Sequence, residues 1–335
     1  MAGAEPMRAV FLDFETIRPV DLDATPLERL LPGMQVYADT PEELIVERMR
    51  DVEIVLINKV NLTRDRLFAA PALKLVCLAA TGVDNVDVTA ARERGIGVAN
   101  IRNYCAPSVV QHVFALLLGL NQRLREYDAL LAAGAWEDSR GFCLLDFPFR
   151  ELRGLTLGIV GLGNLGGGVA RVAQAFGMRV VAARRPFVLD AAPAAANMST
   201  TDGIERVTFT ELVETADVVS LHCPLNAETR GLFGAATIGR MRQGAFLINT
   251  ARGALVEPEA LLEALRSGHL GGAGIDVLEH EPPVAGHPFL DVSLPNLIVT
   301  PHMAWAARES RQRALDEMAL NVQDFLAGGR RNRVD

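Results

Sequence analysis

The sequence predicts an α/β protein made of two successive series of parallel strands and helices. Two observations carry this. Short apolar runs alternate with helical stretches up to about residue 100, and a second alternating series begins at Leu155. In that second series the strand candidates are continuously apolar rather than alternating, as expected when helices cover both faces of a sheet.

In the first series the strand candidates are Arg8–Phe14, Val52–Ile57, Leu73–Leu78 and Gly97–Asn100. Helical stretches between them include Pro41–Met49 and Asp87–Arg94, the latter stopped by Gly95. A strong helix, Ser108–Leu124, and a second, Tyr127–Ala133, lead into an irregular stretch, Gly134–Phe149, that holds Trp136, Phe142, Phe147 and Phe149. That stretch either packs on its own domain or reaches across to a second subunit. Strands of the second series are Thr156–Val160, Arg179–Ala183, Val218–His222, Ala245–Asn249, Ala273–Leu278 and Leu297–Thr300, with a surface insertion expected over Phe187–Arg206. The last helix, Ala304–Leu326, follows completion of the sheet, so chain economy sends it back to the first domain. No repeat is visible beyond the βα unit.

At 335 residues the chain suits two domains, given ~150 residues for a typical one. A hydrophobic content of 50% with 22% charged residues is that of a globular protein with ample core. The net charge of −8 argues against a nucleic-acid or anionic-membrane surface, while leaving room for a local basic pocket. Four widely spaced cysteines, Cys77, Cys105, Cys143 and Cys223, form neither a disulfide framework nor a zinc pattern, so no metal is expected. The N-terminus lacks the basic start and apolar core of a signal peptide, and the longest apolar run, Val113–Leu120, is too short to span a bilayer. A soluble, cytoplasmic protein is expected.

Three side chains stand just past the ends of three strand candidates. Arg252 follows Ala245–Thr250, Glu281 lies a few residues past Gly274–Leu278, and His302 follows Leu297–Pro301. Ligands of open parallel sheets bind at the carboxyl ends of the strands. A fixed cation, a carboxylate and an imidazole delivered there form a set suited to anchoring an acid and moving a proton.

The run Gly161-Leu162-Gly163-Asn164-Leu165-Gly166 sits between a strand candidate and a helix candidate. In that context it reads as the phosphate-binding turn of a Rossmann domain. Gly161 permits the turn, Gly163 admits a pyrophosphate and Gly166 lets the helix approach the strand. The next strand ends in Arg184-Arg185-Pro186, where an acidic residue usually meets the adenosine ribose. Paired arginines there bind a 2′-phosphate, favouring NADP(H) with NAD(H) still usable, unless both are simply solvated surface residues.

Over essentially its whole length the chain resembles the D-isomer-specific 2-hydroxyacid dehydrogenase family. The carrying motifs are Thr81–Asp87, Gly161–Gly166, Ser220–Leu225, Ile248–Gly253, Gly274–Val277, Glu281–Pro283 and Pro301-His302. Ser108–His112 and His302–Ala306 make it most similar to the glycerate dehydrogenase and hydroxypyruvate–glyoxylate reductase branch. It departs from the family pattern in Gln111-His112, where a Glu-His pair is frequent, and in Arg184.

The resemblance implies two doubly wound domains with a cleft between them. A flavodoxin-like substrate domain spans residues 1–105 and 304–335, and a Rossmann cofactor domain spans 106–303. It further implies a homodimer with the Ser108 helix and the following loop in the interface, and a small 2-keto or 2-hydroxy acid as substrate. Hydroxypyruvate or glyoxylate, giving D-glycerate or glycolate, is the first expectation. Another 2-keto acid, such as a 2-keto sugar acid, and a dinucleotide sensor without catalysis are the alternatives.

His302 is then the acid, Glu281 holds its other nitrogen and Arg252 grips the substrate carboxylate. Backbone around Thr81, Gly82 and Val83 adds donors. Thr250 and Ala251 join the cofactor set with Cys223 and Pro224, which either flank the adenine or merely end a strand. Asp276, acidic within an apolar strand, either meets the nicotinamide carboxamide or makes a structural hydrogen bond. Trp305 shapes the substrate pocket or covers the hinge. The other histidines read as structural or exposed.

Overall fold

The computed structural model describes residues 7–190 and 203–335, which form two compact units: Met1–Cys105 with Trp305–Asp335, and Ala106–Ala304. Each is an α/β sheet domain, as the alternation of elements predicts.

The first unit contains β1 (Ala9–Phe11), β2 (Gln35–Val36), β3 (Ile54–Ile57), β4 (Leu75–Leu78) and β5 (Gly97–Ala99), all parallel in the order β2-β1-β3-β4-β5. This is the doubly wound order of flavodoxin-like sheets. Every residue of β1, β3, β4 and β5 is buried, which explains their apolar runs. Strand β2 escapes sequence reading because it is a two-residue edge strand with both side chains exposed, leaving no periodic signal. Inside this sheet Asp13 is the buried polar joint. Its carboxylate accepts the backbone N–H groups of Asn58, Lys59 and Val60 at 2.8, 2.5 and 3.0 Å. Burial pushes its carboxyl up from the usual value, against the pull of those donors.

The C-terminal helix, Arg308–Leu326, belongs to this unit and buries Ala314, Leu315, Met318 and Val322 against Phe11, Leu56 and Cys77. It starts four residues later than the sequence suggests. Ala304 lies in the other unit, and Trp305–Ala307 form the lead-in.

The second unit holds β6 (Thr156–Val160), β7 (Arg179–Ala183), β8 (Glu205–Val207), β9 (Val218–Leu221), β10 (Ala245–Asn249), β11 (Leu270–Ile275) and β12 (Leu297–Val299). Their order is β12-β11-β10-β9-β6-β7-β8, all parallel. Counted within the domain this is the Rossmann order, reversing direction between β6 and β9.

Strand β11 begins and ends three residues earlier than expected. Its opening Leu-Gly-Gly has little strand propensity, but the glycines are required by packing. A Cβ on Gly271 would lie 2.5 Å from the Gly244 carbonyl oxygen, and one on Gly274 would lie 2.9 Å from Leu116 Cβ. Leu116 belongs to the helix Ala106–Asn121, which lies against β11 and buries Val113, Phe114, Leu116, Leu117 and Leu120. That helix stops before Arg123, which takes a left-handed φ of 55°. A second helix, Leu124–Ala132, starts there.

The expected insertion over Phe187–Arg206 is only partly so. Phe187 and Leu189 pack on the core, and Glu205 and Arg206 belong to edge strand β8. Residues 191–202 lie outside the described residues. Among the described residues no helix is long and apolar enough to cross a membrane.

Candidate active site

All seven strands of the second unit are parallel and therefore end at the same edge, where the candidate site residues lie. Strand β10 delivers Thr250–Arg252, β11 delivers Asp276 and the loop to Glu281, and β12 delivers Thr300–His302. These three strands are immediate neighbours.

His302 Nδ1 lies 2.5 Å from Glu281 Oε2, with both side chains 30% exposed. Glu281 is held in turn by its Oε1, which accepts the Leu278 backbone N–H at 2.7 Å. The carboxylate therefore assigns Nδ1 as its donor and leaves Nε2 for exchange with a bound molecule. His302 itself adopts a left-handed φ of 50°.

Arg252 is half-buried and donates from one guanidinium nitrogen to the Ala251 carbonyl at 2.7 Å. Its turn is organised by Asn249, which is fully buried. The Asn249 carboxamide accepts from Ala251 N at 3.0 Å and donates to the Arg252 carbonyl at 2.8 Å. Gly253 completes the arrangement, since a Cβ there would sit 2.0 Å from the Leu278 carbonyl carbon. Only glycine lets the Arg252 turn approach the Leu278–Glu281 loop this closely. Sequence reading assigned Asn249 no role, although a carboxamide ending an apolar strand was the available signal.

The glycine turn stands at the reversal between β6 and β9. Gly161 has φ 102°, and a Cβ on it would lie 2.6 Å from Cys223 N and the His222 carbonyl carbon. A Cβ on Gly166 would lie 2.3 Å from the Gly161 oxygen, whereas one on Gly163 would meet nothing within 4 Å. Two glycines thus bring strand and helix together, and the third leaves open space before the helix Asn164–Ala175. Asn164 is exposed, and Leu162 and Leu165 are half-buried.

Past β7, Arg184 is half-buried and donates its backbone N–H to Val207. Arg185 is exposed and lies 5.7 Å from the Phe187 ring centroid. Pro224 is exposed, but the Cys223 thiol is buried, and burial pushes it up to about 11. Cys223 meets the glycine turn through its backbone rather than its sulfur.

Asp276 lies just beyond β11 rather than within a strand, and is 1% exposed. It accepts from Thr300 Oγ1 at 2.6 Å and from the backbone N–H groups of Met303 and Ala304, each at 2.9 Å. His112 Nε2 stands 3.3 Å away. Burial pushes the Asp276 carboxyl up, but the donors of His112, Thr300, Ala304 and Met303 outweigh it and hold the group below the usual carboxylate range. The structural hydrogen bonds considered for Asp276 are therefore present.

The remaining sequence-predicted residues lie in the first unit. Thr81, Gly82 and Val83 follow β4, and the Thr81 hydroxyl donates to the Ile101 carbonyl at 2.9 Å. Trp305 packs edge-on to Tyr104, with ring centroids 6.4 Å apart.

Residues 114–304 match the family model described as "D-isomer specific 2-hydroxyacid dehydrogenase, NAD binding domain". The chain is 43% identical to the glycerate dehydrogenase of Methylorubrum extorquens, over 98% of this chain and 99% of that one. It is 36% identical to the hydroxypyruvate reductase of Blautia hydrogenotrophica, over 98% of this chain and all of that one. The solved structure of an acyclic imino acid reductase in complex with NADPH and D-Arg superposes with a TM-score of 0.84, at 28% identity over 98% of this chain and 100% of that one. The chain belongs to the D-isomer specific 2-hydroxyacid dehydrogenase family. It is an oxidoreductase that uses a nicotinamide dinucleotide and acts on a small 2-hydroxy acid.

The residues present fit that cofactor. The glycine turn leaves a backbone approach open at Gly163, and two enclosed polar atoms near the strand ends, Thr250 Oγ1 and His222 Nδ1, have no hydrogen-bond partner among the described residues. His222 Nε2 pairs with Ser220 Oγ at 2.9 Å, and burial pushes its imidazole down from 6.5 to about 4. Such a ring is neutral in the folded chain and takes up its proton on unfolding. The stability tied to it is complete above pH 6.5 and is lost as the pH falls toward 4. Urea titrations across this window should show a smaller loss for His222→Gln than for the parent. Equal losses would mean that the ring is not held neutral by burial.

Proposed function

We propose that the protein reduces hydroxypyruvate or glyoxylate to D-glycerate or glycolate, with NADPH preferred over NADH. The observation that carries this is the Glu281–His302 pair, which joins the ends of β11 and β12 beside the β10 end that presents Arg252. The glycerate dehydrogenase and hydroxypyruvate reductase relatives support the substrate class.

Arg252 binds the substrate carboxylate through the planar fork of its guanidinium and polarises the keto oxygen. His302 gives its Nε2 proton to that oxygen as negative charge develops. Glu281, bonded to Nδ1, keeps the ring oriented with Nε2 toward the substrate. The bound dinucleotide supplies the hydride. Gly161, Gly163 and Gly166, with the amides of the helix they introduce, hold its pyrophosphate, and Thr250, Ala251, Pro224 and the Cys223 backbone flank it.

His302→Ala should lower kcat by on the order of 10²–10⁴ with cofactor affinity retained, and Arg252→Lys should lower kcat/KM for 2-keto acids without weakening the dinucleotide. Near-parental turnover in the first variant, or collapsed cofactor affinity in the second, would remove that residue from its role.

NADPH preference rests on Arg184 and Arg185, two cations past β7 where an acidic residue would repel a 2′-phosphate. NADPH is the cofactor bound in the imino acid reductase structure. Arg184→Asp should reverse the order of kcat/KM for the two nicotinamides. A parent enzyme that prefers NADH at matched salt and pH contradicts the assignment.

We also propose a homodimer formed through the stretch after the helix Leu124–Ala132. Trp136, Phe142, Leu145 and Phe149 are 52%, 91%, 81% and 52% exposed, an apolar surface suited to burial by a second copy. The Ser108 helix, whose exposed face carries Pro107, Gln111 and Ala115, can extend this surface, although Ser108 itself is buried in its own domain. Sedimentation should find a dimer that Phe142→Glu with Leu145→Glu dissociates. A monomeric parent rules it out.

A further inference from the structure

His302 occupies a backbone conformation that a non-glycine residue adopts only where its surroundings over-determine it. Part of what holds it comes from its own strand ends. The His302 N–H donates to the Asp276 carbonyl at 2.8 Å, and the next two N–H groups, of Met303 and Ala304, donate to the Asp276 carboxylate. The rest comes from the helix Ala106–Asn121. Ser108 and His112 lie four residues apart and so share a face of that helix. Ser108 Oγ donates to the Ala304 carbonyl at 2.6 Å, while His112 Nε2 stands 2.9 Å from Thr300 Oγ1. The two side chains therefore grip the turn two residues before and two residues after His302.

The direction of the His112 bond follows from its neighbours. An ionised carboxylate only accepts, so the Thr300 hydroxyl proton points to Asp276 Oδ1, 2.6 Å away. The Thr300 oxygen is then the acceptor for His112, and Nε2 must carry a proton. A continuous run of hydrogen bonds passes from His112 through Thr300 and Asp276 to the amide of Met303, adjoining His302.

We propose that Ser108 and His112 are positioning residues that clamp the Thr300–Ala304 turn and so aim His302 at the substrate. Neither touches the reacting atoms. The proposal rests on the assignment of His302 as the acid, and deepens it by naming what holds that acid in place. It also gives His112, which sequence reading treats as structural or exposed, a function through its Nε2 proton alone. A glutamine side chain reaches a similar position with an N–H donor, whereas phenylalanine fills the space without one.

Steady-state kinetics with hydroxypyruvate, together with dinucleotide titration by nicotinamide fluorescence, test this. His112→Phe and Ser108→Ala should each lower kcat by on the order of 10- to 100-fold, the scale of a small misplacement of a reacting group. The dissociation constant of the dinucleotide and the KM for the 2-keto acid should stay within about twofold, because the glycine turn and Arg252 are untouched. His112→Gln should recover most of the rate. In a His302→Ala background, His112→Phe should cause no further loss, since the group it positions is gone.

Parental kcat in both single variants, with His302→Ala still impaired, overturns the clamp and leaves the acid assignment standing. Parental turnover in His302→Ala itself overturns both. A glutamine variant as slow as the phenylalanine one also overturns the proposal, since the donor would then not be what matters. If His112→Phe does not fold, Ser108→Ala carries the same test with a change of one oxygen atom.

Discussion

A parallel sheet covered on both faces has one consequence from which the rest of this molecule follows: every strand must end at the same edge. The backbone groups and side chains just beyond those ends escape the helical cover, so polar chemistry collects there. In the cofactor domain β6 ends in the glycine turn, β7 in Arg184, β10 in the Arg252 turn, β11 in Asp276 and β12 in His302. No single motif builds the candidate site. Five strand ends do, and the strand order decides which of them are neighbours.

Because those ends are irregular backbone, each needs a local device to fix it. The glycine turn uses missing side chains, with Gly161 against Cys223 and Gly166 against the Gly161 carbonyl. The Arg252 turn uses the buried Asn249 carboxamide, which satisfies one amide and one carbonyl within the turn. The His302 turn uses the Asp276 carboxylate, a buried charge that is tolerated because Thr300, Met303 and Ala304 all donate to it. Glu281 is different in kind. It is partly exposed, bonded to Leu278 N on one oxygen and His302 on the other, so it orients the imidazole without being enclosed.

Division of labour follows burial. Asn249, Asp276 and Ser108 are at most 9% exposed and hold backbone. Arg252 and His302 are half-buried and Glu281 is exposed, so these are the side chains we assign to the ligand. The helix Ala106–Asn121 serves both the core and the site, with apolar residues on β11 and Ser108 and His112 on the turn beyond β12. The glycines of β11 let it lie close enough to do both.

The sequence by itself determined the two α/β series, the strand-ending positions of Arg252 and His302, and the glycine turn, because each is written in neighbouring residues. Apolar runs and glycine spacings are local signals. The same locality explains what it missed. Strand β2 exposes both residues, and β11 opens on glycines whose reason is Leu116 and Gly244, distant in the chain. Tertiary structure alone decided that Asp276 holds the turn of His302, that Ser108 and His112 reach that turn, and that the Cys223 thiol is enclosed. Each depends on which strand lies beside which and on the distance between groups far apart in sequence. A hydrogen bond between residues 112 and 300 leaves no trace in either neighbourhood.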